Sequence, residues 1–249
     1  MLELNDVYDY IDELAPFSDA TEWDNVGISV GCLDEEIKAI GFALDITKDV
    51  INQAIEKNIN LIITHHPLKL IVDETNLTSL TKCEEMLIQN EICHIAAHTN
   101  YDIAKDGVNE QLIHKLKLNI LSKVENECLY ICELNEEKDI EEFTDYVKDI
   151  LNAKIRYSKA VTNLKKIAVC SGSGSSYLSL AKEYRCDALL TGDGGHHAFL
   201  DADELDISLI CAGHFETEYL AMPLLCEKVN NKFNIPCYLL KQVSPINTK

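Results

Sequence analysis

The sequence lacks a long hydrophobic run and is short of basic residues. No stretch reaches the roughly 18 uninterrupted apolar residues that a membrane-spanning helix needs, and the first residues show no secretory signal. Lys and Arg number 22 against 42 Asp and Glu, which gives a formal net charge of −20. We therefore expect a cytoplasmic protein without membrane partners. Nucleic acid is a disfavoured partner, because so acidic a chain repels phosphate backbones.

Paired cysteine motifs, Pro- or Gly-rich linkers and low-complexity tracts are also absent. The ten cysteines form no C-x-x-C pair and are scattered through apolar segments. This spacing argues against a thiolate metal site and indicates small core residues kept reduced. With 249 residues, 47% of them hydrophobic, the chain can bury one large core or two modest ones.

Short apolar strands alternate with amphipathic helices along the chain. This alternation is typical of an α/β fold with mostly parallel sheets and crossover helices. One helix has a capping box, in which Asp139 precedes the first turn and Glu142 follows three residues later. Strands are predicted at residues 37–44, 61–64, 92–97 and 207–212, and helices at residues 48–57, 80–89 and 140–151.

The two halves of the sequence resemble each other. The apolar segment 61–64 matches 188–191, a shift of 188 − 61 = 127 residues. His98 and Asp102 match His214 and Glu218, a shift of 214 − 98 = 116 residues. The sequence therefore predicts two related α/β halves, residues 1–124 and 125–249.

Imidazole and carboxylate side chains follow three of the predicted strands, each at its carboxyl end. These ends share one edge of a parallel sheet, where ligands bind. Without thiolates, such side chains favour Zn, Fe, Mn, Co or Ni, and five ligands leave positions for water, as in catalytic sites. We therefore predict a site for two divalent metal ions at the strand ends between the two halves. Its ligands are His65, His66, Asp102, His214 and Glu218.

Several other residues have two interpretations each. His98 and His197 either orient ligands and pass protons or merely close turns, and Asp45 either faces the metals or is an ordinary turn residue. The loop 170–174 could present amides to a phosphate, but it lacks the third glycine and the lysine of known phosphate loops, which favours a plain turn. Trp23 either lines the site or belongs to the core.

Six motifs in this order connect the sequence to a known family. They are Trp23-Asp24-Asn25-Val26-Gly27, Thr64-His65-His66-Pro67-Leu68, His98-Thr99-Asn100-Tyr101-Asp102, Thr191-Gly192-Asp193, His197 and Gly213-His214-Phe215-Glu216-Thr217-Glu218. The chain resembles the dinuclear-metal family of Nif-three-like proteins, often labelled "GTP cyclohydrolase 1 type 2 homolog". The resemblance implies that the five predicted ligands bind two metals, with Glu218 as the bridge. It also implies a homohexameric toroid with the metals facing an internal cavity. The run Gly194-Gly195-His196 departs from the bulky or basic residues usual there.

Three functions are consistent with this sequence. The first is a metal-dependent hydrolase of a small phosphorylated or heterocyclic compound, nucleotides included, in which a metal-activated water attacks while Asp102 and Glu218 hold the ions. The second is a non-catalytic metal-binding protein or metallochaperone. The third, a toroid that encircles nucleic acid, fits poorly with a net charge of −20.

Overall fold

A computed structural model describes residues 1–71, 77–79 and 81–246. The chain divides into two compact units. The first comprises Met1–Lys105 with Ala221–Lys249, and the second comprises Asp106–Leu220. Within the described ranges, no helix has the length and apolar character needed to cross a membrane.

The described residues form strands and helices in alternation. The strands are β1 (Gly27–Val30), β2 (Ile40–Ala43), β3 (Leu61–Thr64), β4 (Lys69–Ile71), β5 (Leu77–Ser79), β6 (Cys93–Ala96), β7 (Asn119–Lys123), β8 (Tyr130–Asp139), β9 (Arg156–Tyr157), β10 (Asn163–Val169), β11 (Ala188–Thr191), β12 (Ser208–Cys211) and β13 (Cys237–Leu239). The α-helices are α1 (Leu4–Leu14), α2 (Lys48–Glu56), α3 (Thr81–Gln89), α4 (Thr99–Ile103), α5 (Val108–Lys115), α6 (Ile140–Leu151), α7 (Leu178–Glu183), α8 (His196–Glu204), α9 (His214–Glu218) and α10 (Met222–Phe233). Short 3₁₀ helices lie at Phe17–Asp19, Ser175–Tyr177 and Tyr219–Ala221.

The first unit is built on a five-stranded sheet in the order β1-β6-β3-β2-β13. Three neighbouring pairs are parallel, and only the edge strand β1 runs antiparallel. Strands β2, β3 and β6 are buried along their whole length, as expected of central strands covered on both faces. The predicted α/β class is confirmed, and the carboxyl ends of β3 and β6 meet at one edge.

The second unit contains a six-stranded sheet in the order β7-β8-β10-β11-β12-β9. Its central strands β10, β11 and β12 are parallel, whereas the three other pairings are antiparallel. The short connection between β7 and β8, with Asn126 at a φ of 61°, is too short for a parallel crossover. The parallel character of this sheet is thus limited to its centre.

The internal repeat reappears in the strand register. Ile40 pairs with Leu61 between β2 and β3, and Ile167 pairs with Ala188 between β10 and β11. Both residues of the second pair lie 127 positions further on, since 167 − 40 = 188 − 61 = 127. The two strand pairs therefore share both direction and register.

The boundaries between the units differ from the predicted division into 1–124 and 125–249. The segment Ala221–Lys249 belongs to the first unit because β13 pairs with β2, in parallel. The second unit begins at Asp106 because β7 pairs with β8. Pairing between strands distant in sequence decides both boundaries.

Helix α6 shows how local sequence sets an element's start. It spans the predicted residues, and the Asp139 carboxylate accepts a hydrogen bond from the Glu141 N–H at 2.8 Å. Glu142, the expected partner in a capping box, instead pairs with Lys138 at 2.7 Å. The cap therefore works through Asp139 alone.

The cysteines behave as apolar core residues. All ten are free thiols. Burial raises the pKa of Cys93 and of Cys132 to about 12, which keeps both protonated. Six are buried, namely Cys83, Cys93, Cys132, Cys170, Cys186 and Cys211.

Candidate metal-ligand clusters

The turn after β3 places His65 and His66. The His65 N–H donates to the Ala43 carbonyl at 3.3 Å and the His66 N–H to the Leu44 carbonyl at 2.9 Å, which ties the turn to the end of β2. The Thr64 hydroxyl donates to the His66 carbonyl at 2.7 Å. Three hydrogen bonds therefore fix the backbone that carries both histidines.

His65 is fully buried, and its hydrogen bonding fixes its tautomer. Its Nδ1 lies 2.9 Å from the Ala97 carbonyl oxygen. Because a carbonyl can only accept, Nδ1 carries the proton and the neutral ring keeps a lone pair on Nε2. That Nε2 lies 3.5 Å from Asp102 Oδ1. A lone pair and a carboxylate oxygen at this separation suit a cation that both can contact.

His66 and His98 are each oriented by a carboxylate. His66 Nδ1 donates to Asp45 Oδ1 at 2.7 Å, and His98 Nδ1 donates to Asp24 Oδ1 at 2.9 Å. Asp24 also accepts from the N–H of Thr99 at 3.0 Å and from its hydroxyl. Burial of Asp24 favours its protonated form, but the bonds and charge from His98 and the bonds from Thr99 outweigh that effect and lower its pKa to about 2. Both imidazoles thus keep Nε2 for a ligand role.

These three histidines converge at one place in the first unit, and we call them the histidine cluster: His65, His66 and His98. One ligand nitrogen from each ring lies within 4.8 Å of those of the other two. Asp102 adds a carboxylate from α4, whose first turn is closed by its N–H donating to the His98 carbonyl at 2.9 Å. Four side chains of the types that bind divalent metals therefore share one edge of the first sheet.

The second unit carries its own ligand pair on α9. His214 Nδ1 donates to Asp193 Oδ2 at 2.8 Å, and His214 Nε2 lies 3.1 Å from Glu218 Oε2. The two residues are four positions apart, so they share one face of the helix. Glu218 is buried, with a side chain only 5% exposed. A buried carboxylate beside an imidazole nitrogen again offers two side chains of the types that bind divalent metals.

The loop 170–174 packs its backbone against this pair. Gly172 has a left-handed φ of 59°, and a Cβ there would overlap the Glu218 carboxylate, lying 3.0 Å from its Cδ. The Gly172 N–H donates to Thr217 Oγ1 at 3.1 Å, and its carbonyl accepts from the Thr191 hydroxyl at 3.0 Å. The missing side chain at Gly172 is therefore what leaves room for the carboxylate.

A phosphate-binding role for this loop is not favoured by its hydrogen bonds. The N–H of Ser171 donates to Asn109, and that of Gly174 donates to Thr191, each at 2.8 Å. With the Gly172 N–H, three of the backbone amides in this loop already have acceptors on the protein. The geometry agrees with a tight turn that supports α9.

Other residues singled out from the sequence occupy different positions. His197 lies on α8, exposed, with its ring centroid 5.7 Å from that of His196. Among the described residues, no candidate metal group includes His197. Asp45 orients His66 rather than standing alone, and Trp23 is 50% exposed and so is not a core residue.

Sequence reasoning missed the residues that orient the ligands. Asp24 and Asp193 were seen only as parts of motifs, although each fixes a histidine tautomer. Gly172 was considered only as part of the loop 170–174, and Thr191 and Thr217 only as parts of motifs. The available signal was the match of Thr64 with Thr191, because each ends a strand and each hydroxyl donates to a backbone carbonyl in a loop, that of His66 for Thr64 and that of Gly172 for Thr191.

Comparisons with known proteins find similar sequences and similar structures. The family model described as Duf34/NIF3 (NGG1p interacting factor 3) matches residues 2–245. A relative from Clostridium acetobutylicum named "GTP cyclohydrolase 1 type 2 homolog" is 35% identical over 245 residues, 92% of this chain and 90% of the relative. Staphylococcus aureus protein SA1388 has a similar structure, with a TM-score of 0.87 and 27% identity over 100% of this chain and 99% of that chain. The structure of reduced HcgD from Methanocaldococcus jannaschii is also similar, with a TM-score of 0.84 and 29% identity over 97% of this chain and 98% of that chain.

Proposed function

The chain belongs to the Duf34/NIF3 family, and we propose that it is a metal-dependent hydrolase of a small phosphorylated or heterocyclic compound. One observation carries the proposal. Each of four histidines bonds an oxygen acceptor through Nδ1, which leaves Nε2 available as a metal ligand. Histidines that bind metals in proteins are oriented in this way.

We assign two divalent ions to the five predicted ligands, with Glu218 as the bridge. This assignment rests on the resemblance to the family and on the suitability of each cluster taken by itself. His98 is a further candidate ligand, since its Nδ1 is also bonded to a carboxylate and one of its ring nitrogens lies within 4.8 Å of those of His65 and His66. The ligands are His65, His66, Asp102, His214 and Glu218.

The ions would supply Lewis-acid chemistry for the attack of water on phosphorus or on an electrophilic ring carbon. The protein's own residues prepare the ligands for them. Asp24, Asp45 and Asp193 accept the hydrogen bonds from Nδ1, so that Nε2 is the ring nitrogen that each histidine presents to a metal. Gly172 leaves room for the Glu218 carboxylate.

The first test is metal content. Protein purified without added metal and then dialysed should carry close to two divalent ions per chain by elemental analysis. His65→Ala and His214→Ala should each lower that number, whereas His197→Ala is the matched control, because this exposed histidine lies outside the candidate groups of the described residues. A wild-type content below one ion per chain, with metal supplied, would contradict the dinuclear assignment.

The second test is turnover. The metal-loaded protein is screened against nucleotides, including GTP because of the relatives' name, and against phosphoesters and pterin precursors. Activity should vanish with a chelator and return with one divalent ion. Asp102→Asn should lower the rate by at least about 100-fold, or about 2.7 kcal/mol. If no compound turns over while the metal passes readily to an apo acceptor, the metallochaperone alternative replaces the hydrolase.

A further inference from the structure

Trp23 lies in a turn that is fastened to the histidine cluster. The turn is closed by the Asp24 N–H, which donates to the Thr21 carbonyl at 2.9 Å. At one end, the Thr21 N–H donates to Thr99 Oγ1 at 3.0 Å. At the other end, the fully buried carboxylate of Asp24 binds both His98 and Thr99. Both ends of the turn are therefore tied to the residues that begin α4.

The indole of Trp23 is held beside the cluster but is not buried. Its ring centroid lies 6.0 Å from that of His98, at an interplanar angle of 75°, and the residue is 50% exposed. Tryptophan is on average a highly buried residue. A turn bonded at both ends thus presents half of a large aromatic surface next to a group of metal-binding side chains. Such a surface is already ordered, which lowers the entropic cost of binding a ligand.

We propose that Trp23 is the aromatic wall of the metal site and stacks on the ring of a planar heteroaromatic substrate, such as a nucleobase or a pterin. The proposal rests on the proposed function, and it narrows the substrate class to compounds with a flat ring. Stacking of a base on an aromatic side chain is sequence-tolerant and contributes about 10-fold to 100-fold to affinity. The Asp24 and Thr99 bonds would keep the indole in place while the ligand exchanges.

The experiment uses the fact that Trp23 is the only tryptophan in the sequence. Its fluorescence in the metal-loaded protein is followed during titration with GMP, AMP and a pterin. Ribose 5-phosphate is the matched control, because it has the sugar phosphate of GMP without the ring. At least one ring-bearing probe should quench the emission, and ribose 5-phosphate should not.

Calorimetry on variants then separates stacking from folding. Trp23→Ala should weaken binding of the ring-bearing probe by about 10-fold to 100-fold and leave the affinity for ribose 5-phosphate and the metal content unchanged. Trp23→Phe, which keeps a flat ring, should restore most of the affinity. The phenylalanine variant would not restore the affinity if the indole only filled space in the turn. Because Trp23→Phe is a smaller change than Trp23→Ala, it also tests the proposal if the alanine variant fails to fold.

Three results would overturn the proposal. The ring-bearing probes could bind no more tightly than ribose 5-phosphate, or both variants could bind them as the wild type does. Alternatively, light scattering could show that Trp23→Ala breaks up an assembly while probe binding persists, which would make Trp23 an interface residue. In each case, a wild-type content of two ions per chain would still support the assignment of two metal ions. If ring selectivity appeared in protein that holds no metal, the proposed function would fail instead.

Discussion

Replacement of Gly172 by alanine tests whether the backbone beside α9 determines the position of Glu218. Gly172 is buried and has a φ of 59°, and an added Cβ would overlap the Glu218 carboxylate and lie 3.3 Å from His214 Nε2. The backbone cannot easily yield, because Thr217 accepts from the Gly172 N–H and Thr191 donates to its carbonyl. The carboxylate must therefore move.

The expected effect on metal binding is larger than the effect on folding. Relief of the overlap requires a shift on the order of 1 Å, since heavy atoms pack best at about 3.5–4.0 Å. A carboxylate ligand must lie at about 2.0–2.2 Å from a zinc ion, so such a shift removes it from coordination. Loss of supporting groups costs about 10-fold to 100-fold in metal affinity. For Gly172→Ala we expect the 100-fold loss, about 2.7 kcal/mol of binding free energy, against about 1–2 kcal/mol of folding free energy for alanine in a left-handed conformation.

The assay is a competition titration with a chromophoric chelator, together with elemental analysis after dialysis. Gly195→Ala is the matched control, because this glycine of the same unit has nothing within 4 Å of an added Cβ. It also has an ordinary φ of −76° at the start of α8. Thermal unfolding of both variants measures the folding cost. If the two variants bind metal equally well, either Glu218 is not a ligand or Gly172 does not set its position.

Three further predictions follow from other features. Burial lowers the pKa of His94 to about 3, so the unfolded chain binds a proton that the folded chain excludes, and the unfolding free energy falls by about 1.4 kcal/mol per pH unit as the pH drops from about 6.5 towards 3. In denaturant titrations His94→Leu should lack that slope, and equal slopes would contradict the assignment. Asp45→Asn should weaken metal affinity by about 10-fold to 100-fold in the chelator assay, because the His66 tautomer is no longer fixed by a charge, and an unchanged affinity would exclude this role. Light scattering should show a closed homo-oligomer, with a hexamer expected from the family resemblance, and a 28.0 kDa monomer would refute it.

The strand pattern could be predicted because it depends on local sequence. The segment 61–64 is apolar except for Thr64, and the structure has β3 over the same residues. Its buried central position follows from that composition, since central parallel strands are covered on both faces. The convergence of His65 and His98 followed from the rule that parallel strands end at the same edge, and both lie in the histidine cluster.

The orienting carboxylates could not be predicted from the sequence, because their contacts join distant residues. Asp24 and His98 are 74 positions apart, and no periodicity connects them. The boundaries between the units depended on contacts of the same kind. Strand β13 is a three-residue element, and only its pairing with β2, nearly two hundred residues earlier, assigns the C-terminal segment to the first unit. A short strand of this type gives little local signal.

The internal repeat shows how one backbone position can be used in two different ways. Asp45 and Gly172 correspond under the shift of 172 − 45 = 127 residues that also relates the paired strands. In the first unit this position carries a carboxylate that bonds His66 Nδ1. In the second unit the same position carries no side chain, and the space is taken by the carboxylate of Glu218. A carboxylate thus lies beside a histidine in both units, but at different nitrogens, because Asp45 bonds Nδ1 of His66 whereas Glu218 faces Nε2 of His214. The Nδ1 bond of His214 comes instead from Asp193, so the shared strand register leaves one turn position free to orient a histidine in the first unit and to make room for a carboxylate in the second.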